Sequence, residues 1–114
     1  MSLIATPAGQ TPAKAEKLAN EIITYTLDCS KLLDKFELIS SANIQEQKGI
    51  SFSSTRTRKG TSVEFKVAND SIITAAYVDF NIKVELNTSF NNKRIAVVQL
   101  RVHKWYRYYG LKAL

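Results

Sequence analysis

From Val78 to Asn87 the chain alternates without interruption, setting Val78, Phe80, Ile82, Val84 and Leu86 against Asp79, Asn81, Lys83, Glu85 and Asn87. Successive side chains on a strand point to opposite faces, so this run reads as a strand that is dry on one side and wet on the other. A dry face needs a core to lie on. In a chain of 114 residues, 45% hydrophobic and 23% charged, that core is the interior of one domain: too apolar for disorder and too short for two domains.

A second pair of strands is expected just upstream. After Gly49, Ile50 and Phe52 alternate with polar residues, and Ser51 to Arg58 is mostly Ser, Thr and Arg, the composition of an edge strand. Lys59-Gly60 supplies a turn, and Val63, Phe65 and Val67 alternate with Glu64 and Lys66 on the return. Downstream, Ile95, Val98, Val102, Trp105 and Tyr109 fit a helical template, while Val98, Leu100 and Val102 fit a strand. β-branched and aromatic residues fill eight of the sixteen positions from Arg94 to Tyr109, which favours a strand antiparallel to the one before it.

The first third reads differently. Ala15, Leu18, Ile22, Tyr25, Cys29, Leu32, Phe36 and Ile39 recur at spacings of three and four, a helical stripe, with charged residues of both signs between them. Thr11-Pro12 suits a helix start. The stripe also fits a heptad seam, but Ala19, Ile23, Leu27, Leu33 and Leu38 widen it towards a helix lying on a sheet. Its weak point is the β-prone run Ile22 to Thr26. The fold class expected is therefore α+β: a long N-terminal helix packed on a four-stranded antiparallel meander, with residues 1–10 as a flexible arm and 11–114 as one domain.

Charge is unevenly placed. Residues 1–49 carry five Lys against six acids, whereas residues 50–114 carry eleven Lys and Arg against four, so the net +6 lies entirely on the strand side. Residues 93–114 alone hold six cations and no acid. If the last segment is a strand, Arg101, His103, Trp105 and Arg107 share its outer face, with Arg56, Arg58 and Lys59 extending the basic surface from the hairpin. Cations that hold phosphates, interleaved with aromatic rings that stack bases, suit single-stranded nucleic acid. The function expected is non-enzymatic, weakly sequence-specific nucleic-acid binding. The alternative is a homo-oligomeric structural or assembly protein, of the kind found among viral and phage accessory proteins. Leu18, Ile22, Tyr25 and Leu32 on the helix and Tyr106 and Tyr109 near the C-terminus would then form subunit contacts.

Other chemistries lack their residues. His103 is the one histidine and Cys29 the one cysteine, and Cys29 falls on the apolar stripe, so no catalytic residue, metal site or cofactor is expected. The four glycines are too scattered to cradle a phosphate, and no small-molecule substrate is inferred. Apolar runs are only a few residues long, so membrane insertion is not expected, and the absence of a secretory signal pattern makes the cytoplasm the default location.

Overall fold

The computed structural model describes residues 2–7, 9–58, 60–69 and 75–104, with Ser54, Arg56, Arg58 and Asn69 described by backbone alone. Eight strands follow one another: β1 (Ser2–Ile4), β2 (Ala13–Leu18), β3 (Ile23–Asp28), β4 (Ile39–Ile44), β5 (Ile50–Arg58), β6 (Ser62–Asn69), β7 (Tyr77–Thr88) and β8 (Lys93–His103). The alternating run is β7, paired antiparallel along its length with β8. Ile82, Val84 and Leu86 are buried against Ala96, Val98, Leu100 and Val102, as period 2 requires. β5 and β6 form the expected hairpin, with Gly60 at φ 72 in its turn, and β5 is an edge strand.

The long helix is absent. Residues 12–39 hold β2, β3 and one 3₁₀ turn (Ser30–Leu32), and the described residues are mostly strand, so the α+β expectation is overturned. The heptad stripe does not describe burial: Ala15, Tyr25, Cys29 and Ile39 are buried, but Ile22 is 65% and Phe36 81% exposed. The register that does is period 2, with Ala13, Ala15 and Lys17 turned inward on β2, and Ile23, Tyr25 and Leu27 on β3. Tertiary pairing overrides the helix-forming composition of β2, which runs parallel to β8 from Ala13↔Val98 to Leu18↔His103. Ser2–Ile4, within the expected arm, pair with β3, and Ala5 behind them is fully buried.

The two hairpins also belong to different sheets. One sheet has the order β1-β3-β6-β5 and the other β2-β8-β7-β4, each mixed through one parallel edge strand, so the single antiparallel meander is replaced by two four-stranded sheets. Tyr25, Leu27, Val63, Phe65 and Val67 from the first meet Ile82, Val84, Leu86, Val98 and Leu100 from the second in one continuous core, a β-sandwich. Phe65 is its pivot, with ring centroids 5.9 Å from Tyr25 and 6.4 Å from Phe52. Every connection except the two hairpins crosses between sheets. No helix among the described residues is long and apolar enough to cross a membrane.

The two ends of the core are each finished by a buried charge. On β2, Lys17 is 4% exposed and its ammonium donates to the carbonyls of Leu18 (2.6 Å) and Glu21 (2.8 Å), which close the β2–β3 turn. At the other end lies Glu37, 2% exposed, in the loop before β4. Lys17 is level with Val102 and Glu37 bonds Arg94, eight residues apart on β8, so about 26 Å of core separates them.

Candidate interaction surfaces

The outer face of the β2-β8-β7-β4 sheet is where the sequence places nucleic acid. Pairing sets Arg101 opposite Asp79 on β7 and level with Glu16 on β2. Arg101 makes a two-pronged ion pair with Asp79, Nε to Oδ1 at 2.8 Å and Nη2 to Oδ2 at 3.1 Å, while its guanidinium carbon lies 3.9 Å from the Tyr77 ring centre. The hydrogen bonds from Arg101 hold the Asp79 carboxyl below its ordinary range, and the same contact raises Arg101. His103, expected on the wet face, has a side chain only 8% exposed, with Nε2 3.2 Å from Glu16 Oε1.

Two further cations of the C-terminal segment are paired as well. Lys93 is 3.6 Å from Glu85, and Arg94 bridges Asp34 and Glu37 at 3.1 Å each. A shallow depression of about 480 Å³ on this face is lined by Lys14, Ala15, Glu16, Asp79, Gln99 and Arg101, so cations and acids balance within it. Arg56 and Arg58 lie on β5 of the other sheet, in register with Glu64 and Ser62, and so do not extend the surface that carries Arg101. Lys59, Trp105, Tyr106, Arg107 and Tyr109 fall outside the described residues. Of the residues expected at subunit contacts, Tyr25 is 1% exposed in the core, Leu18 and Leu32 are half-buried, and only Ile22 projects.

The surface that the sequence did not announce is the end of the sandwich around Glu37. The Asp34 N–H donates to its Oε1 (2.8 Å), as does Arg94 Nη2 (3.1 Å); the Thr88 hydroxyl (2.5 Å) and Asn92 Nδ2 (2.9 Å) donate to Oε2. These bonds, led by the Asp34 N–H and the Thr88 hydroxyl, pull the Glu37 carboxyl down from 4.5 to about 2. They tie the loop before β4 to the β7–β8 turn, and backbone bonds complete the junction: Leu38 N–H to Ser89 Oγ (3.0 Å), Ser89 N–H to the Leu38 carbonyl (2.8 Å), Ile39 N–H to the Gly60 carbonyl (2.7 Å).

With Glu37 held inside, its apolar neighbours are turned out. Phe36 is 81% exposed, Leu38 48%, and Phe90, on the turn bonded to Leu38, 48%. Phe36 takes φ 66, the left-handed region that bulky L residues avoid, and Lys35 Nζ sits 5.3 Å from its ring centre. The signal available in the sequence is the inverted order Phe36-Glu37-Leu38, apolar out and acid in, which a helical reading conceals.

Cys29 is fully buried, and burial raises its thiol to about 12, so it is no nucleophile at neutral pH. Among the described residues no group of three or more His, Cys, Asp or Glu is placed to hold a metal ion. No protein-family model matches the chain, and no curated protein matches it.

Proposed function

We propose that this chain is a structural protein that associates with copies of itself, acting by assembly and not by chemistry on a substrate. The observation that carries the reading is the apolar end: Phe36 exposes four-fifths of its surface and Leu38 and Phe90 nearly half of theirs, within one junction that is otherwise rigidly bonded. Water penalises such a patch, and a large exposed apolar patch marks an interaction site.

The sheet edges support the same choice of surface. β1 is three residues long, β4 shifts register between Ile39 and Ser41, β5 shifts between Ser53 and Arg56, and β2 carries alternate charges. Short strands, bulges and edge charges all oppose strand-to-strand addition. Association is thereby directed to the ends and faces.

Sedimentation equilibrium of the full chain from micromolar to millimolar concentration tests the reading. A mass rising above 12.8 kDa with concentration is expected. A monomer throughout overturns it.

Single-stranded nucleic-acid binding remains a second reading, favoured by one observation, the net charge of +6. Its described supports are weakened, because Lys93, Arg94 and Arg101 each face a carboxylate. Oligonucleotide affinity that falls steeply with salt would favour it over assembly alone.

A further inference from the structure

We infer that the Phe36 end is the centre of a two-fold contact between two copies of this chain, with the Phe36 and Phe90 rings meeting across the axis and Asp34 of each copy facing Lys35 of the other. The inference rests on the assembly reading above and names the surface and symmetry that reading leaves open.

Phe36 is the anchor. Its backbone is held at φ 66, where a Cβ crowds the following carbonyl, and Gly or Asn fits the same bend with far less strain. A buried ring would compensate for that strain by leaving water, but this ring is 81% exposed, with the Lys35 ammonium 5.3 Å from its centre. Within one copy, burial of the ring therefore does not offset the strain. Burial of the ring in a contact supplies the missing term.

Glu37 makes the anchor rigid. Four donors, from Asp34, Thr88, Asn92 and Arg94, fix its carboxylate, so Phe36 and Leu38 on either side are set before any partner arrives and little ordering remains to be done on binding. Glu37 is thus a positioning residue.

The occupant follows from charge and area. A two-fold contact requires a surface that complements itself. Here an apolar centre is flanked by an acid, Asp34, which meets Arg94 at 3.1 Å yet stays 68% exposed, directly beside an exposed base, Lys35, so a half-turn can set each against the opposite sign. Phe36, Leu38 and Phe90 together offer on the order of 350 Å² of apolar surface, below the roughly 800 Å² per partner of a standard interface. The contact is accordingly weak, with a polar rim and a concentration-dependent population.

Sedimentation velocity and dilute-solution melting of four versions of the 114-residue chain test this. For Phe36→Asn, dimerisation weakens at least tenfold while the melting temperature of the dilute monomer rises by about 3 °C, because Asn relieves the left-handed strain. Lys35→Glu weakens dimerisation and Ile22→Ser, an exposed apolar residue not bonded into this junction, leaves it unchanged. An associating wild type whose dimerisation is unaffected by Phe36→Asn and Lys35→Glu overturns the two-fold contact and leaves the assembly reading standing. Weakened association in Ile22→Ser with none in Phe36→Asn relocates the interface and equally overturns it. A wild type that never associates removes both.

Discussion

Arg94 and Glu37, 57 residues apart in the chain, meet with Nη2 3.1 Å from Oε1 inside the end of the sandwich. The pair joins the start of β8 to the loop before β4, and Asp34 Oδ2 takes the same Arg94 nitrogen at 3.1 Å. Arg94 Nε is left buried without a partner, so the guanidinium depends heavily on these two carboxylates. Glu37 is the buried member of the pair and Arg94 is about one-third exposed, so removing either leaves a partly buried charge without its partner, which costs more than the pair contributes.

Acid should therefore loosen this end first. Native Glu37 holds its proton only below about 2, against an ordinary 4.5, so its contribution is full above pH 4.5 and is lost as pH falls from there towards 2. Thermal melts from pH 7 to pH 2 are expected to show a falling melting temperature in that window. Glu37→Gln should start lower at pH 7, by about 10 °C, and lose less between pH 5 and 2. Parallel curves for the two proteins would contradict the assignment.

Arg101 presents the opposite case, a surface cation neutralised by Asp79 and stacked on Tyr77. Asp79→Asn removes the partner without changing shape and should leave the guanidinium available. Weak oligonucleotide binding by the variant is expected to exceed that of the wild type and to steepen with falling salt by about one phosphate contact. Arg101→Ala in the wild-type background should change affinity by less than about twofold, whereas a large loss would show that the ion pair opens to receive phosphate.

Alkali reports on the buried groups on and beside β3. Cys29 and Tyr25 are buried, and desolvation raises both to about 12, from 9.0 and 10.0. Each is neutral in the native protein, so the stability they contribute is complete below pH 9 and declines as pH rises from 9 to 12. Cys29→Ala is expected to shift the onset of alkaline unfolding upward. Native Cys29 should also react with a neutral thiol reagent only at the rate of local opening, which hydrogen exchange at neighbouring amides measures independently.

How far the sequence reveals this architecture depends on which signal carries the burial. β7 and β8 are legible because Ile82, Val84, Leu86 and Val98, Leu100, Val102 alternate with polar residues over many positions. β5 and β6 are legible through Gly60 and the Val63-Phe65-Val67 register. β2 is not, because Ala13, Ala15 and Lys17 are its inward residues: two are helix formers and one is charged. Lys17 is inside because its ammonium reaches back to the carbonyls of Leu18 and Glu21 in the turn that follows β2, a local geometry invisible to periodicity. The β-prone run Ile22 to Thr26 did mark β3, but the coincidence of three- and four-residue spacings across separate strands concealed it. The sheet face of Arg101 was legible as a surface but not as a neutralised one, since Asp79 arrives from another strand, and the burial of His103 beside Glu16 depends likewise on pairing with β2.

The most direct test is a dilution series of amide spectra from a uniformly ¹⁵N-labelled chain, read residue by residue. Association through the apolar end should move the amides of residues 34–38 and 88–92 with concentration, while those of Asp79, Gln99 and Arg101 on the sheet face stay fixed. Concentration-dependent shifts on the sheet face with a silent Phe36 end would contradict the proposed surface.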